Sequence, residues 1–180
     1  MKKLLNVFLI LNLAFSFVIA SFSTAKAASL TELSDTMSSL TGGYSNHTIK
    51  FKTPSGINAN TDTIIITFAH GSADGTNYTD IDLSHGVSTG YEGDENLGSS
   101  AGANQWGASV NSGPLTITLT APTDAGASEI VGGEYIVVEV GLNATTGTAG
   151  NAQLNGVGGP GDTDIMTIAG TFGDTGQIAY

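Results

Sequence analysis

Apolar and polar positions alternate with a period of two over most of the chain beyond residue 44. In NHTIKFKTPSGINANTDTIIITFA, residues 46–69, His47, Ile49 and Phe51 alternate with Thr48, Lys50 and Lys52, and Ile64, Ile66 and Phe68 alternate with Thr63, Ile65 and Thr67. This period predicts strands with one face on a core. Pro54, Gly56 and several Asn and Asp residues lie between them and predict a turn that joins the two strands as a hairpin. The same pattern returns in Leu115–Leu119 and in Glu134–Leu142, where Ile136, Val138, Val140 and Leu142 share one face. It returns again in Ile165–Ala169 and Gln177–Tyr180, around the turn GTFGDTG. Tyr78–Leu83 predicts a shorter strand with Ile81 and Leu83 on one face. Trp106 is read as a core plug.

About seven short strands separated by turn clusters predict an all-β fold, an antiparallel β-sandwich. Immunoglobulin-like topology is the expected arrangement and a jelly roll the second choice. One segment breaks the pattern. In SLTELSDTMSSL, residues 29–40, Ser29 and Glu32 form a capping box, and Leu30, Leu33, Met37 and Leu40 recur at helical spacing, so residues 28–43 are read as a linker or short helix. A leading strand is the competing reading, because Ser and Thr fill the remaining positions.

The first 27 residues change the setting. Lys2 and Lys3 precede an apolar run that ends in Ala25-Lys26-Ala27, the pattern of a cleaved signal peptide, so export and a new N-terminus at Ala28 are expected. Residues 44–180 then form a single sandwich domain, and a strand starting just before Tyr180 suggests a domain truncated at its C-terminus. Beyond residue 27 only Lys50 and Lys52 oppose 16 acidic residues, a net charge of −14. Such a chain lacks the basic footprint that nucleic acid or an anionic membrane requires. The expected partners are other surface proteins or glycans, with self-association as a further route; no membrane insertion is expected after signal cleavage. The absence of cysteine removes disulfides and thiolate metal sites.

The runs LSDTMSSL, NHTIKFKTPSGI and TIIITF, and later VEVGLNA and IAGTFGDTG, resemble segments of secreted bacterial cell-surface proteins built of immunoglobulin-like β-sandwich modules. The resemblance covers most of the chain after residue 27 and rests on strands and glycine turns. It implies export, a sandwich and, in many such proteins, further modules beyond this point. No catalytic residue comes with it.

The strongest chemical signal is acidic. Asp74, Asn77, Asp80 and Asp82 lie in ADGTNYTDID, and Glu92 and Asp94 follow in YEGDEN. Oxygen-rich loops interrupted by glycine suit Ca²⁺, which takes six to eight oxygen ligands, so calcium is the candidate cofactor at these six residues. Their spacing matches no EF-hand. His47, His70 and His85 show no zinc spacing, and no serine stands in a nucleophile elbow. The carboxylate pairs Asp80/Asp82 and Asp94/Glu95 are the suspects for a hydrolase. The expectation is a non-enzymatic, exported surface module with a structural or adhesive role. The alternatives are a carbohydrate-binding module using Trp106 and Tyr91, and a fibre subunit completed by a donated strand.

Overall fold

A computed structural model describes residues 28–180 except 40–42, 61, 88–93, 125–129, 145–151, 157 and 159–161. The signal-peptide reading, residues 1–27, lies outside the described residues. In chain order the strands are β1 (Thr31–Met37), β2 (His47–Lys52), β3 (Thr63–Phe68), β4 (Ser72–Ala73), β5 (Ile81–Gly86), β6 (Leu97–Gly98), β7 (Trp106–Ser112), β8 (Leu115–Thr120), β9 (Tyr135–Val140), β10 (Leu154–Asn155), β11 (Ile165–Ala169) and β12 (Gly176–Ala179). Among the described residues no helix is long and apolar enough to cross a membrane.

Alternation decides the layers. Strands β2, β3 and β8 bury every second side chain, and each such strand needs a facing partner to cover its apolar side. Two sheets meet that need: β1-β2-β9-β5, and β12-β11-β3-β8-β7-β6. All pairings are antiparallel except β6 with β7. Ile49, Phe51, Ile136, Val138, Leu83, Ile64, Ile66, Ile117, Leu119, Met166 and Ile168 fill the space between them at 0% exposure. Trp106, also at 0%, is the core plug its sequence context predicts. The chain is thus an antiparallel β-sandwich.

Four local expectations are overturned. Strands β2 and β3 do not form a hairpin, because they lie in different sheets. Each has one apolar face, and facing each other across the core covers both faces, whereas lying side by side would leave both uncovered. The connection is therefore an arch, fastened to the loop before β9 by Ile57 N–H to Ile130 O at 2.8 Å and Ile130 N–H to Ile57 O at 3.2 Å. The helix expected near Ser29 is strand β1, since pairing with β2 over Ser34–Met37 satisfies its backbone where a short Ser/Thr-rich helix would stand alone. Leu142 leaves the buried face of β9 and is 61% exposed, because Gly141 turns the chain at φ +91°. Tyr78–Asp80 is a 3₁₀ turn, and β5 starts only at Ile81.

Both open sides of the sandwich are closed by segments that change sheets. On one side Leu30 N–H donates to Thr175 O at 2.9 Å and Thr175 N–H to Ala28 O at 3.0 Å, beside β12. A shift of register after Thr31 then carries the chain onto β2, with Glu32 at φ +53° in the kink. On the other side Glu95 N–H donates to Leu83 O of β5 at 2.7 Å. Two residues later Leu97 pairs with Trp106 of β7.

Candidate functional site

The six residues proposed for calcium part company in the folded chain. Asn77 is the N-cap of the 3₁₀ turn, accepting from Thr79 N–H at 3.1 Å, and Asp80 Oδ2 accepts from Asn77 N–H at 2.9 Å. Together they make a reciprocal capping box. Asp80 Oδ1 accepts from Ala152 N–H at 3.4 Å, so this carboxylate ties two loops together. Asp74 is exposed in a bend. Asp82 sits on β5, 3% exposed and opposite Glu139 of β9. Asp94 bridges to Ser84 at the edge of β5, and Glu92 lies outside the described residues. Among the described residues no three His, Cys, Asp or Glu side chains are grouped so as to hold a metal ion.

Several other acids act as fasteners in the same way as Asp80. Asp174, 1% exposed, takes Thr53 Oγ1 at 2.8 Å and Ser55 N–H at 2.9 Å on Oδ2, and Ser55 Oγ at 2.7 Å on Oδ1. It ties the end of β2 to the turn between β11 and β12. Asp62 accepts from Asn58 N–H at 2.7 Å and closes its own turn. Asp164 accepts from Gly158 N–H at 2.6 Å and contacts His70 Nδ1 at 3.2 Å. A buried carboxylate is tolerated where N–H and O–H groups replace its water, and each of these Asp residues has that company.

All three histidines contact carboxylates. His47 is fully buried, with Nδ1 2.8 Å from Asp35 Oδ2 and Nε2 3.2 Å from Ser45 Oγ. Tyr180 OH donates to the same Asp35 oxygen at 2.6 Å. Burial, then the charge of Asp35, pushes that phenol well above the usual tyrosine range. Serine, imidazole and carboxylate stand in the order that nucleophilic hydrolases use. Ser45 is 1% exposed, however, and its N–H and C=O are both bonded to Leu154. A substrate carbonyl has no approach to its hydroxyl, so the set is a buried clamp on β1.

The electrostatically tense region lies around β5. Its Asp82 faces Glu139, with Asp94 close by. Burial and then the charge of Asp82 raise the carboxyls of both Asp94 and Glu139 above the ordinary carboxylate range. At the rim of the core His85 lies between Glu95 and Glu134, with Nε2 3.0 Å from Glu95 Oε1 and Nδ1 2.9 Å from Glu134 Oε2. The Glu95 hydrogen bond raises the imidazole above its ordinary value; burial opposes it and Glu134 adds to it. Glu134 and Glu139 were not singled out from sequence, since their partners lie tens of residues away. Trp106, named for the carbohydrate-binding alternative, is wholly buried and offers no sugar platform. Tyr91, its companion, lies outside the described residues.

No family model and no curated protein matches the chain. Solved structures similar to the chain include the following two. One is the collagen-binding domain from a Staphylococcus aureus adhesin, at 8% identity and a TM-score of 0.42, covering 82% of this chain and 95% of that one. The other is the group B streptococcus pilus 2b backbone protein, at 17% identity and a TM-score of 0.42, covering 81% of this chain and 55% of that one.

Proposed function

We propose that this chain is an exported, non-catalytic module of a bacterial surface, with a structural or adhesive role. The observation that supports it best is the use of the buried polar groups. Asp62, Asp80, Asp164 and Asp174 close turns or tie loops, and His47 and His85 stand where the two sides of the sandwich are closed. Side chains that an enzyme would aim into a cleft fasten the frame instead, as suits a part that must keep its shape outside the cell without disulfides. Other surface proteins, a second copy or glycans are the partner classes; for glycans the exposed loops replace the buried Trp106 as the contact.

Antibody raised against the purified protein tests the reading on intact cells of the producing organism. Surface labelling that disappears when the cells are shaved with protease is the expected result. Protein found only in the cytoplasmic fraction would overturn it.

A further inference from the structure

Five residues, Asp94–Gly98, close the side of the sandwich beyond β5. They hold that strand through Glu95 N–H to Leu83 O at 2.7 Å and the Ser84–Asp94 bridge. They hold the facing sheet through Trp106 N–H to Asn96 O at 2.8 Å and the pairing of Leu97 and Gly98 with Trp106 and Gly107. Leu97, half-buried, is the one large apolar side chain in the segment. Burial therefore contributes little to keeping it in place.

The side-chain fastening toward β5 is an imidazole, while toward β7 Asn96 Nδ2 donates to Asn104 O and Gln105 Nε2 to Leu97 O, each at 3.4 Å. His85 continues the inward phase of Ile81 and Leu83 and emerges at the rim of the core, where Glu95 of the crossing segment and Glu134 ahead of β9 take its two nitrogens. An ionised carboxylate only accepts, so both contacts are hydrogen bonds when both ring nitrogens carry protons. Other charged groups surround the site. Asp94 is in the crossing itself, and Asp82 of β5 and Glu139 of β9 lie on the outer face of the sheet, all three favouring the cation. Lys50 and Lys52 of β2 stand over the Tyr135 ring, 4.3 and 4.8 Å from its centroid, and disfavour it.

We propose that His85 is a proton-dependent latch: its imidazolium holds Asp94–Gly98 across the side of the sandwich, and loss of the ring proton frees that segment from the edge of β5. A neutral ring turns a lone pair toward one of the two carboxylates and loses that bond. Once the segment leaves, the imidazole loses Glu95, keeps Glu134 and meets water, so its value falls back toward the ordinary one. Linkage then sets the shape of the response. Opening is constant below the imidazole's value in the open form, rises by up to about tenfold per pH unit between that value and the closed form's raised one, and is constant again above it. The open form presents the unpaired backbone of β5, the kind of edge along which chains associate.

Hydrogen exchange at the Glu95 amide, corrected for intrinsic rate, measures the opening, and the His85 ring resonances measure its titration in the same samples. The expected result is that opening at Glu95 rises over the pH interval in which the ring titrates, while the Val138 amide in mid-sheet stays level. His85→Gln should open to the high-pH level at every pH. Glu134→Gln should move the ring titration toward 6.5 and carry the opening curve with it, which keeps the test decisive if His85→Gln fails to fold. A Glu95 amide whose opening stays level while the ring titrates would overturn the latch, as would an opening curve that stays in place when Glu134→Gln moves the titration.

Discussion

Asp174 shows how much of this fold rests on single residues. Three donors from Thr53 and Ser55 converge on one buried carboxylate, and hydrogen bonds to a charged group contribute more than neutral ones. Asp174→Ala leaves the three donors without their acceptor and should cost about 2–4 kcal/mol, read as a lowered urea midpoint with unchanged slope. Asp174→Asn keeps one oxygen for Thr53 and the Ser55 N–H and should cost less than half as much; equal losses would mean that the charge, which Asn lacks, and not the shape, which it keeps, is the fastener. At Glu139 the sign is reversed. Its carboxyl is raised in the folded chain by burial and by Asp82, so the folded state binds its proton more tightly than the unfolded state, and ionised Glu139 destabilises the fold as pH rises. Glu139→Gln should raise the melting temperature at neutral pH, and the gain should shrink as pH falls through the raised value. A gain that persists at low pH would show that the charge is not its source. None of these roles is visible in sequence: Thr53 and Asp174 stand far apart in the chain, and an acid that closes a turn has the same local spelling as one that binds calcium.

Elements were more legible than their partners. The period of two gave β2, β3, β8, β9 and β11 nearly to the residue, since alternation records which face is buried. It does not record which strand lies alongside, and for that reason β2 and β3 read as a hairpin although they face each other across the core. Strand β1 was ambiguous for a related reason. It is an edge strand with none of its seven residues fully buried, so alternation is weak and a capping-box spelling competes with it. Leu142 was misplaced because a single glycine ends the register. Gly141 lies at φ +91°, and a Cβ there would come 2.5 Å from Asn46 Oδ1. That oxygen accepts from Leu142 N–H at 2.9 Å and from Gln153 Nε2 at 2.7 Å. Gly141→Ala combines left-handed strain with a clash against this junction and should cost about 1–3 kcal/mol, measurable by thermal melting. Gly133, also at positive φ but with nothing within 4 Å of its would-be Cβ, is the control. Its alanine variant should lose less, and equal losses would mean that the Asn46 junction adds nothing beyond backbone strain.

On the scale of the molecule, acidity and calcium have to be told apart. A net charge of −14 beyond residue 27 makes the folded chain repel itself, and any added cation relieves that repulsion by screening. A chelating site adds a term that depends on the identity of the ion, because Ca²⁺ accepts many oxygens at flexible geometry whereas Mg²⁺ sheds water reluctantly. Calcium binding by the loops around β5 stays a proposal, now narrowed in its ligands, since Asp80 is engaged by Asn77 and Ala152 and Asp74 lies exposed in its own bend. Melting in calcium and in magnesium at equal ionic strength separates the two effects. With the carboxylates placed as they are, the two ions should raise the melting temperature equally, and Asp82→Asn should raise it in the absence of either by easing its repulsion with Glu139 and Asp94. A rise specific to calcium that Asp82→Asn abolishes would instead establish a site at the edge of β5. Calcium would then oppose the release of the same edge that His85 is proposed to latch, and adding it above the imidazole's raised value would restore the protection of the Glu95 amide.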